Sequence, residues 1–347
     1  GENALGMTPP DAIDMVENAV PTVSILQGIK AAVSPQTQVR YAKGCDVLDD
    51  STEGFAEAVA IAQQSDVAIL VVGDKSGLTD ECTSGEARDR AVLDLPGVQE
   101  DLVRAVHATG TPVIVVLVNG RPLTIPWLLD NVPAILVAWL PGEEGGNAVA
   151  DVLFGDVSPG GKLPMSFPRA VGQIPTFYNH KPSGGRSHWK EHYVETNVKP
   201  QFPFGFGLSY TQFAIDNLQL SNTQARAGEM VDISVDVTNV GDRTGDEVVQ
   251  LYIHDVLASV TRPVKELKGF QRLTLQPSEK KTVTFHLPVN QLAFYDREMA
   301  FVVEPGTIEV MVGSSSRDLP CKATFEIVGE TANVAQSKAY FCPTSVA

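Results

Sequence analysis

Two textures of apolar and polar residues divide the chain. In the first half, short continuous apolar runs end at turn residues. Ala68 to Val72 stops at Gly73-Asp74, Val113 to Val118 at Asn119-Gly120, and Ala134 to Trp139 at Pro141-Gly142. Uninterrupted runs rich in β-branched residues suit parallel strands buried on both faces. Helical spacing lies around and between them, over Phe55 to Gln64, Val98 to Ala108 and Asn147 to Leu153. Strand alternating with helix predicts an α/β layered sandwich with a mainly parallel sheet over residues 1–170. The chain opens at Gly1-Glu2-Asn3 in loop-like sequence, so the first strand of that sheet is expected to be missing.

From about residue 215 the period changes to two. Val231 to Val237 alternates apolar with polar side chains, and Glu247 to His254, Lys281 to Leu287 and Thr307 to Gly313 are further strands. Gly241-Asp242, Gln276-Pro277-Ser278 and Glu304-Pro305-Gly306 supply the turns. This predicts an all-β sandwich of immunoglobulin or fibronectin type III-like kind over 215–330. Its strands offer no paired carboxylates and no nucleophilic triad, so it is expected to support rather than to react. Residues 171–214 read as an ordered connecting segment, and 331–347 as a tail without pattern.

Composition narrows the function classes. Forty-two acidic against 26 basic side chains give the 347-residue chain a formal net charge of -16. That surface repels phosphate backbones and argues against a nucleic-acid partner. No run approaches the roughly 20 apolar residues that a membrane-spanning helix needs, so no membrane partner is expected. Cys45, Cys82, Cys321 and Cys342 form no Cys-x-x-Cys pair, and no His-Glu-x-x-His spacing occurs, so neither a metal nor another cofactor is expected. Cys321 with Cys342, near the end, could staple the tail to the last strand. Cys45 and Cys82 both fall just after predicted strands and could also meet. Free buried thiols are the alternative; disulfides would fit a secreted or periplasmic setting.

Candidate chemistry gathers where open α/β sheets place their ligands, beyond the strand ends. Gly142-Glu143-Glu144-Gly145-Gly146 lies between strand and helix, but it is not Gly-x-Gly-x-x-Gly, and its glutamates would repel a pyrophosphate. The segment Gly73 to Arg90 is polar, turn-rich and dense in charge. Arg121, in Asn119-Gly120-Arg121-Pro122, ends a strand at the same sheet edge and could pair with that loop. His180, His188, Trp189, His192 and Tyr193 cluster in the connecting segment and are read as packing.

Three segments carry a resemblance to glycoside hydrolase family 3, in its β-glucosidase type. Gly142 to Asp156, continuing through Ser158-Pro159-Gly160-Gly161-Lys162-Leu163-Pro164-Met165-Ser166-Phe167-Pro168, resembles the signature of that family's α/β-sandwich domain. Phe202 to Thr211 resembles its link to the last domain. Val237-Thr238-Asn239-Val240-Gly241 and Arg262 to Phe270 resemble its fibronectin type III-like domain. The resemblance implies the C-terminal part of a retaining, exo-acting β-glycosidase that removes terminal non-reducing β-D-glucosyl residues, with β-xylosidase as an alternative. It also implies a partner: a (β/α)8 barrel half carrying an aspartate nucleophile, without which this chain alone would be inactive. The other expected partner is a β-glucoside or oligosaccharide substrate; homo-oligomerisation stays open.

Within the charged segment, the resemblance assigns the general acid/base to a glutamate. Gly85-Glu86-Ala87-Arg88-Asp89-Arg90 resembles the family's Glu-Gly-x-Asp-Arg loop, with an alanine and arginine between the glutamate and the aspartate, which makes Glu86 the first choice. Glu81, nearer the strand end, is the second. Arg88, Arg90 and Arg121 are the substrate-binding candidates. A solvated ion-pair loop, or a catalytically silent carbohydrate-binding or scaffold module, is the competing reading.

Overall fold

The computed structural model describes residues 21–182 and 193–347. Packing divides the chain into two compact units, one of residues 1–157 and 168–174, the other of 158–167 and 175–347.

The first unit is built on a parallel sheet. Its described elements are α1 (Ile25–Ala32), α2 (Phe55–Ala62), β1 (Ala68–Gly73), α3 (Gln99–His107), β2 (Val113–Val118), α4 (Pro126–Asn131), β3 (Ala134–Val137) and α5 (Gly145–Phe154). The three strands pair in the order β1-β2-β3, with Ala68 opposite Val113 and Ile114 opposite Ala134. The central strand β2 is the most enclosed, with Val115, Val116 and Leu117 at 0% exposure. Its core continues into Val103 and Val106 of α3 and Leu128 of α4. The edge strand β1 is less covered, and Val71 is 48% exposed.

Helix α1, not among the stretches of helical spacing picked out in the sequence, begins with a capping box. Ser24 Oγ accepts from Gln27 N–H, and Gln27 Oε1 accepts from Ser24 N–H. It packs on α5 through glycines. A Cβ on Gly28 would fall 2.1 Å from Gly146 O, and one on Gly146 would fall 2.2 Å from Ser24 O. Val23 N–H donates to Glu143 O, and Gly146 N–H donates to Val23 O. The glycine run of 142–146 therefore lets two backbones touch.

The second unit is an antiparallel sandwich. One sheet has β5 (Gln224–Ala225), β13 (Cys321–Ile327), β12 (Gly306–Gly313), β7 (Gly245–Asp255) and β8 (Glu266–Leu275), in that order. The other orders β15 (Thr344–Val346), β9 (Lys280–Pro288), β6 (Met230–Asn239) and β4 (Phe213–Leu220). A small third sheet joins β10 (Phe294–Tyr295), β11 (Phe301–Val303) and β14 (Ala332–Asn333). Val231, Ile233, Val235 and Val237 alternate inward from β6 at 0% exposure and meet Leu251, Phe285 and Val310 in one core.

Residues 158–167, expected within the α/β region, pack with this second unit. Gly205 N–H donates to Leu163 O, and Phe167 N–H donates to Phe202 O. Lys162 Nζ lies 2.7 Å from a Glu247 carboxylate, both side chains nearly buried. The aromatics of Phe202 to Phe206 act as packing. Phe202 stacks on Phe206 at 5.0 Å, and Phe204 stacks on Tyr178 at 4.5 Å.

Three expectations are corrected. Residues 331–347 are not a patternless tail, because β14 and β15 both join sheets. All four cysteines are thiols rather than disulfides. Cys321 Sγ points to Ile215 O, and Cys342 sits beside Gly269, where burial pushes its thiol up to about 12. Cys82 Sγ lies 3.2 Å from Thr79 Oγ1, while Cys45, which follows irregular backbone and no strand, packs against the α/β core. The sandwich does align a Ser-His-Asp row. His286 Nδ1 lies 2.7 Å from Asp232 Oδ1, and His286 Nε2 lies 3.0 Å from Ser345 Oγ. The row crosses β6, β9 and β15 on their solvent-facing side and ties the final strand to its neighbours.

Candidate functional site

Strand β1 ends at Gly73, whose backbone has no room for a side chain, since a Cβ would fall 2.0 Å from Val118 O. The buried Gln99 side chain completes the strand end: Oε1 accepts from Gly73 N–H, and Nε2 donates to Gly73 O and Pro96 O. From this fixed point the chain enters the charged segment.

Asp74 is 8% exposed. Its Oδ1 accepts from Thr83 Oγ1 at 2.7 Å, and its Oδ2 accepts from Gly120 N–H at 3.1 Å. A buried carboxylate must find such partners, and here they lock the loop to the ends of β1 and β2. Thr83 Oγ1 also accepts from Lys75 N–H, Thr83 N–H donates to Lys75 O, and Gly77 N–H donates to Ser84 O. A Cβ on Gly120 would fall 1.9 Å from Ser84 Oγ, so the Asn119-Gly120-Arg121 turn supports the loop from directly beneath.

Glu86 stands at the tip, between Gly85 at φ +136° and Ala87 at φ +56°. Its side chain is exposed and makes no hydrogen bond or ion pair with any described residue. Glu81 is placed differently: its carboxylate is also exposed, but it pairs with Lys75 Nζ at 2.6 Å.

The three arginines serve the loop itself. Arg88 Nη1 reaches Asp80 at 3.1 Å, and its Nη2 donates to Leu78 O. Arg121 Nη2 donates to both Thr83 O and Arg88 O. Arg90 Nη1 donates to Asp94 O. Burial lowers the Arg90 pKa, partly offset by the nearby Asp74 and Asp94 carboxylates. Asp94 in turn accepts a short hydrogen bond from Thr124 Oγ1. Arg121 thus meets the loop as foreseen, though through carbonyls rather than an ion pair.

Asp74, Thr83 and Gln99 were missed in the sequence. Asp74 stands one glycine beyond an apolar run, and that position was the one signal available. His180 Nδ1–H donates to Lys181 O at 2.9 Å, and Tyr193 N–H donates to Thr196 O. His188, Trp189 and His192 lie outside the described residues. Among the described residues no group of His, Cys, Asp and Glu is arranged to hold a metal ion.

Comparison with known proteins agrees with this architecture. Residues 6–210 match the glycosyl hydrolase family 3 C-terminal domain, and 247–316 match a fibronectin type III-like domain. A β-xylosidase of Formosa agariphila is 51% identical over 295 residues, covering 85% of this chain and 40% of the relative. A periplasmic β-glucosidase of Salmonella typhimurium is 40% identical over 334 residues, covering 88% and 43%. The solved structure of a β-glucosidase from Erythrobacter marinus superposes with a TM-score of 0.81 at 38% identity, over 90% of this chain and 44% of that one. The chain therefore spans about 40% of the length of the curated relatives it matches. With the α/β unit, the sandwich and the long signature around Gly145 all accounted for, this chain belongs to glycoside hydrolase family 3.

Proposed function

We propose that the chain supplies the general acid/base of a retaining, exo-acting β-glycosidase, and that Glu86 is that group. A barrel portion supplies the aspartate nucleophile, and terminal non-reducing β-D-glucosyl residues are the substrate. The acid/base must protonate the departing glycosidic oxygen and then deprotonate the attacking water, with the nucleophile about 5–5.5 Å away in the retaining geometry. The observation that carries the assignment is the contrast between the glutamates. Glu86 is presented at the tip of an internally bonded loop with no fixed partner, whereas Glu81 is tied to Lys75. A group that gives and takes a proton in each cycle is better served without an ammonium on it. The name of the Salmonella typhimurium relative supports a periplasmic or secreted setting for this chain too.

The test uses the enzyme assembled with its barrel portion. Glu86→Ala should lower kcat by about 10²–10⁴-fold for glucosides with poor leaving groups. Activated aryl glucosides, which need little protonation, should suffer less, and azide should restore turnover. If Glu81→Ala gives this pattern and Glu86→Ala does not, the assignment is wrong. If neither does and the assembled protein turns over no glycoside, the chain is a silent module. The Formosa agariphila relative, at 51% identity, favours a second reading, β-xylosidase. The kcat/KM ratio for aryl β-glucoside over aryl β-xyloside decides between them.

A further inference from the structure

We infer that Arg121 is the positioning residue for the acid/base, an inference that rests on the assignment of Glu86. One guanidinium nitrogen, Nη2, donates to Thr83 O at 2.8 Å and to Arg88 O at 2.7 Å. Those carbonyls belong to the residues three before and two after Glu86. A single group thus ties the two limbs of the loop together beneath its tip, leaving the Glu86 carboxylate itself untouched.

Arg121 is itself held in place. The fully buried Asn119 donates from Nδ2 to Arg121 O at 2.8 Å, and Asn119 N–H donates to Trp139 O. Gly120 N–H is held by Asp74, which grips Thr83 through its other oxygen. The loop is therefore fastened twice to the β1 and β2 ends, once by a carboxylate and once by a guanidinium. Gly85 and Ala87 take up positive φ beside Glu86. An alanine there gives up the relaxed backbone regions, and a conformation of that kind persists when its surroundings over-determine it. The Arg121 bonds on either side supply that determination. A general acid contributes only from within hydrogen-bond reach of the leaving oxygen, so a loose loop costs rate rather than binding.

Arg121→Met keeps the stem and removes both donors. In the assembled enzyme, kcat on poor-leaving-group glycosides should fall on the order of 10- to 100-fold, with KM nearly unchanged. Activated aryl glycosides should fall much less. Arg121→Lys retains a donor able to face both carbonyls and should recover part of the loss, which keeps the test open if Arg121→Met folds poorly. In a Glu86→Ala background, Arg121→Met should have almost no further effect, because the group it positions is gone. Amide hydrogen exchange over residues 83–90 should quicken.

Equal losses on both substrate types, or a full additional loss on top of Glu86→Ala, would overturn the inference and make Arg121 a general stabiliser or a substrate contact. Failure of the Glu86 assignment looks different: Glu86→Ala alone then leaves poor-leaving-group turnover intact, and the inference falls with it.

Discussion

The two units solve the burial problem differently. In the sandwich, the inward residues of β6, β7, β9 and β12 meet each other, and most reach 0% exposure. In the α/β unit only the central strand is so enclosed. Val115 of β2 is at 0% exposure, while Val71 of β1 and Val67 just before it are 48% and 43% exposed. The charged loop grows from the end of that less-covered strand. What steadies it is therefore not apolar burial but a polar framework of Asp74, Thr83, Arg121 and Gln99. Such frameworks hold geometry when every member is satisfied and are costly when one is not.

The largest effect should come from the sandwich core. Phe285→Ala removes a fully buried ring where β9 faces β7 and β8, and should cost about 3–5 kcal/mol in denaturant unfolding. Enzyme that remains folded should keep its kcat. A fall in kcat without loss of stability would mean the sandwich shapes the site directly.

A matched pair in the parallel sheet measures the contrast within the α/β unit. Val115→Ala should cost about 2 kcal/mol, the transfer of two methyl groups plus a cavity contribution. Val71→Ala, exposed in this structure, should stay within about 0.5 kcal/mol. Equal costs would show that the Val71 face is covered in solution.

The legible parts of the sequence were those with a local period. β1 and β2 were read to within a residue because continuous apolar runs end sharply at Gly73-Asp74 and Asn119-Gly120. β6 was legible from strict alternation, and β7, β9 and β12 as further strands between turn signals. β4 lacked that alternation, since Asp216 and Asn217 break it; β13, which alternates Cys321, Ala323, Phe325 and Ile327 with polar residues, was passed over, as was α1, whose start depends on the Ser24–Gln27 cap. β15 could not be read at all, because Thr344-Ser345-Val346 becomes a strand only by pairing with β9. The Ser345–His286–Asp232 row followed from that pairing and was invisible for the same reason. At the site, Glu86 and Arg121 were named from motif and position. The bonds from Arg121 to Thr83 O and Arg88 O depend on a long-range contact between two loops, which no period along the chain encodes.

A smaller effect concerns a charge built into the sandwich. Asp236 accepts from Thr282 Oγ1 at 2.8 Å, Lys280 Nζ at 3.0 Å and Asn217 Nδ2 at 3.0 Å. These bonds, that from Thr282 foremost, hold its pKa below the usual carboxylate range. A carboxyl whose folded pKa is depressed adds stability above its unfolded value, and loses it as pH falls through the folded one. Asp236→Asn should therefore cost about 1–2 kcal/mol at neutral pH. The gap to the parent should close only below about pH 4. A gap that persists unchanged to pH 2 would assign the effect to packing.

The smallest effect should come from the sandwich loop at Asp242 and Arg243. Both side chains are exposed, and neither makes a hydrogen bond or ion pair with a described residue. What the turn contributes is backbone: Arg243 O accepts from Asn239 Nδ2 at 2.7 Å, and Gly241 N–H donates to Asn239 Oδ1 at 3.1 Å. Asn239 is fully buried and also donates to Leu275 O, so it organises the loop from inside whatever the two exposed side chains are. Asp242→Ala and Arg243→Ala leave every one of those bonds in place. Stability should change by less than about 0.5 kcal/mol, and kcat and KM on aryl glycosides should be unaltered within error. A large fall in kcat with folding intact would place this loop on the substrate, and the division between a supporting sandwich and a reactive α/β unit would fail.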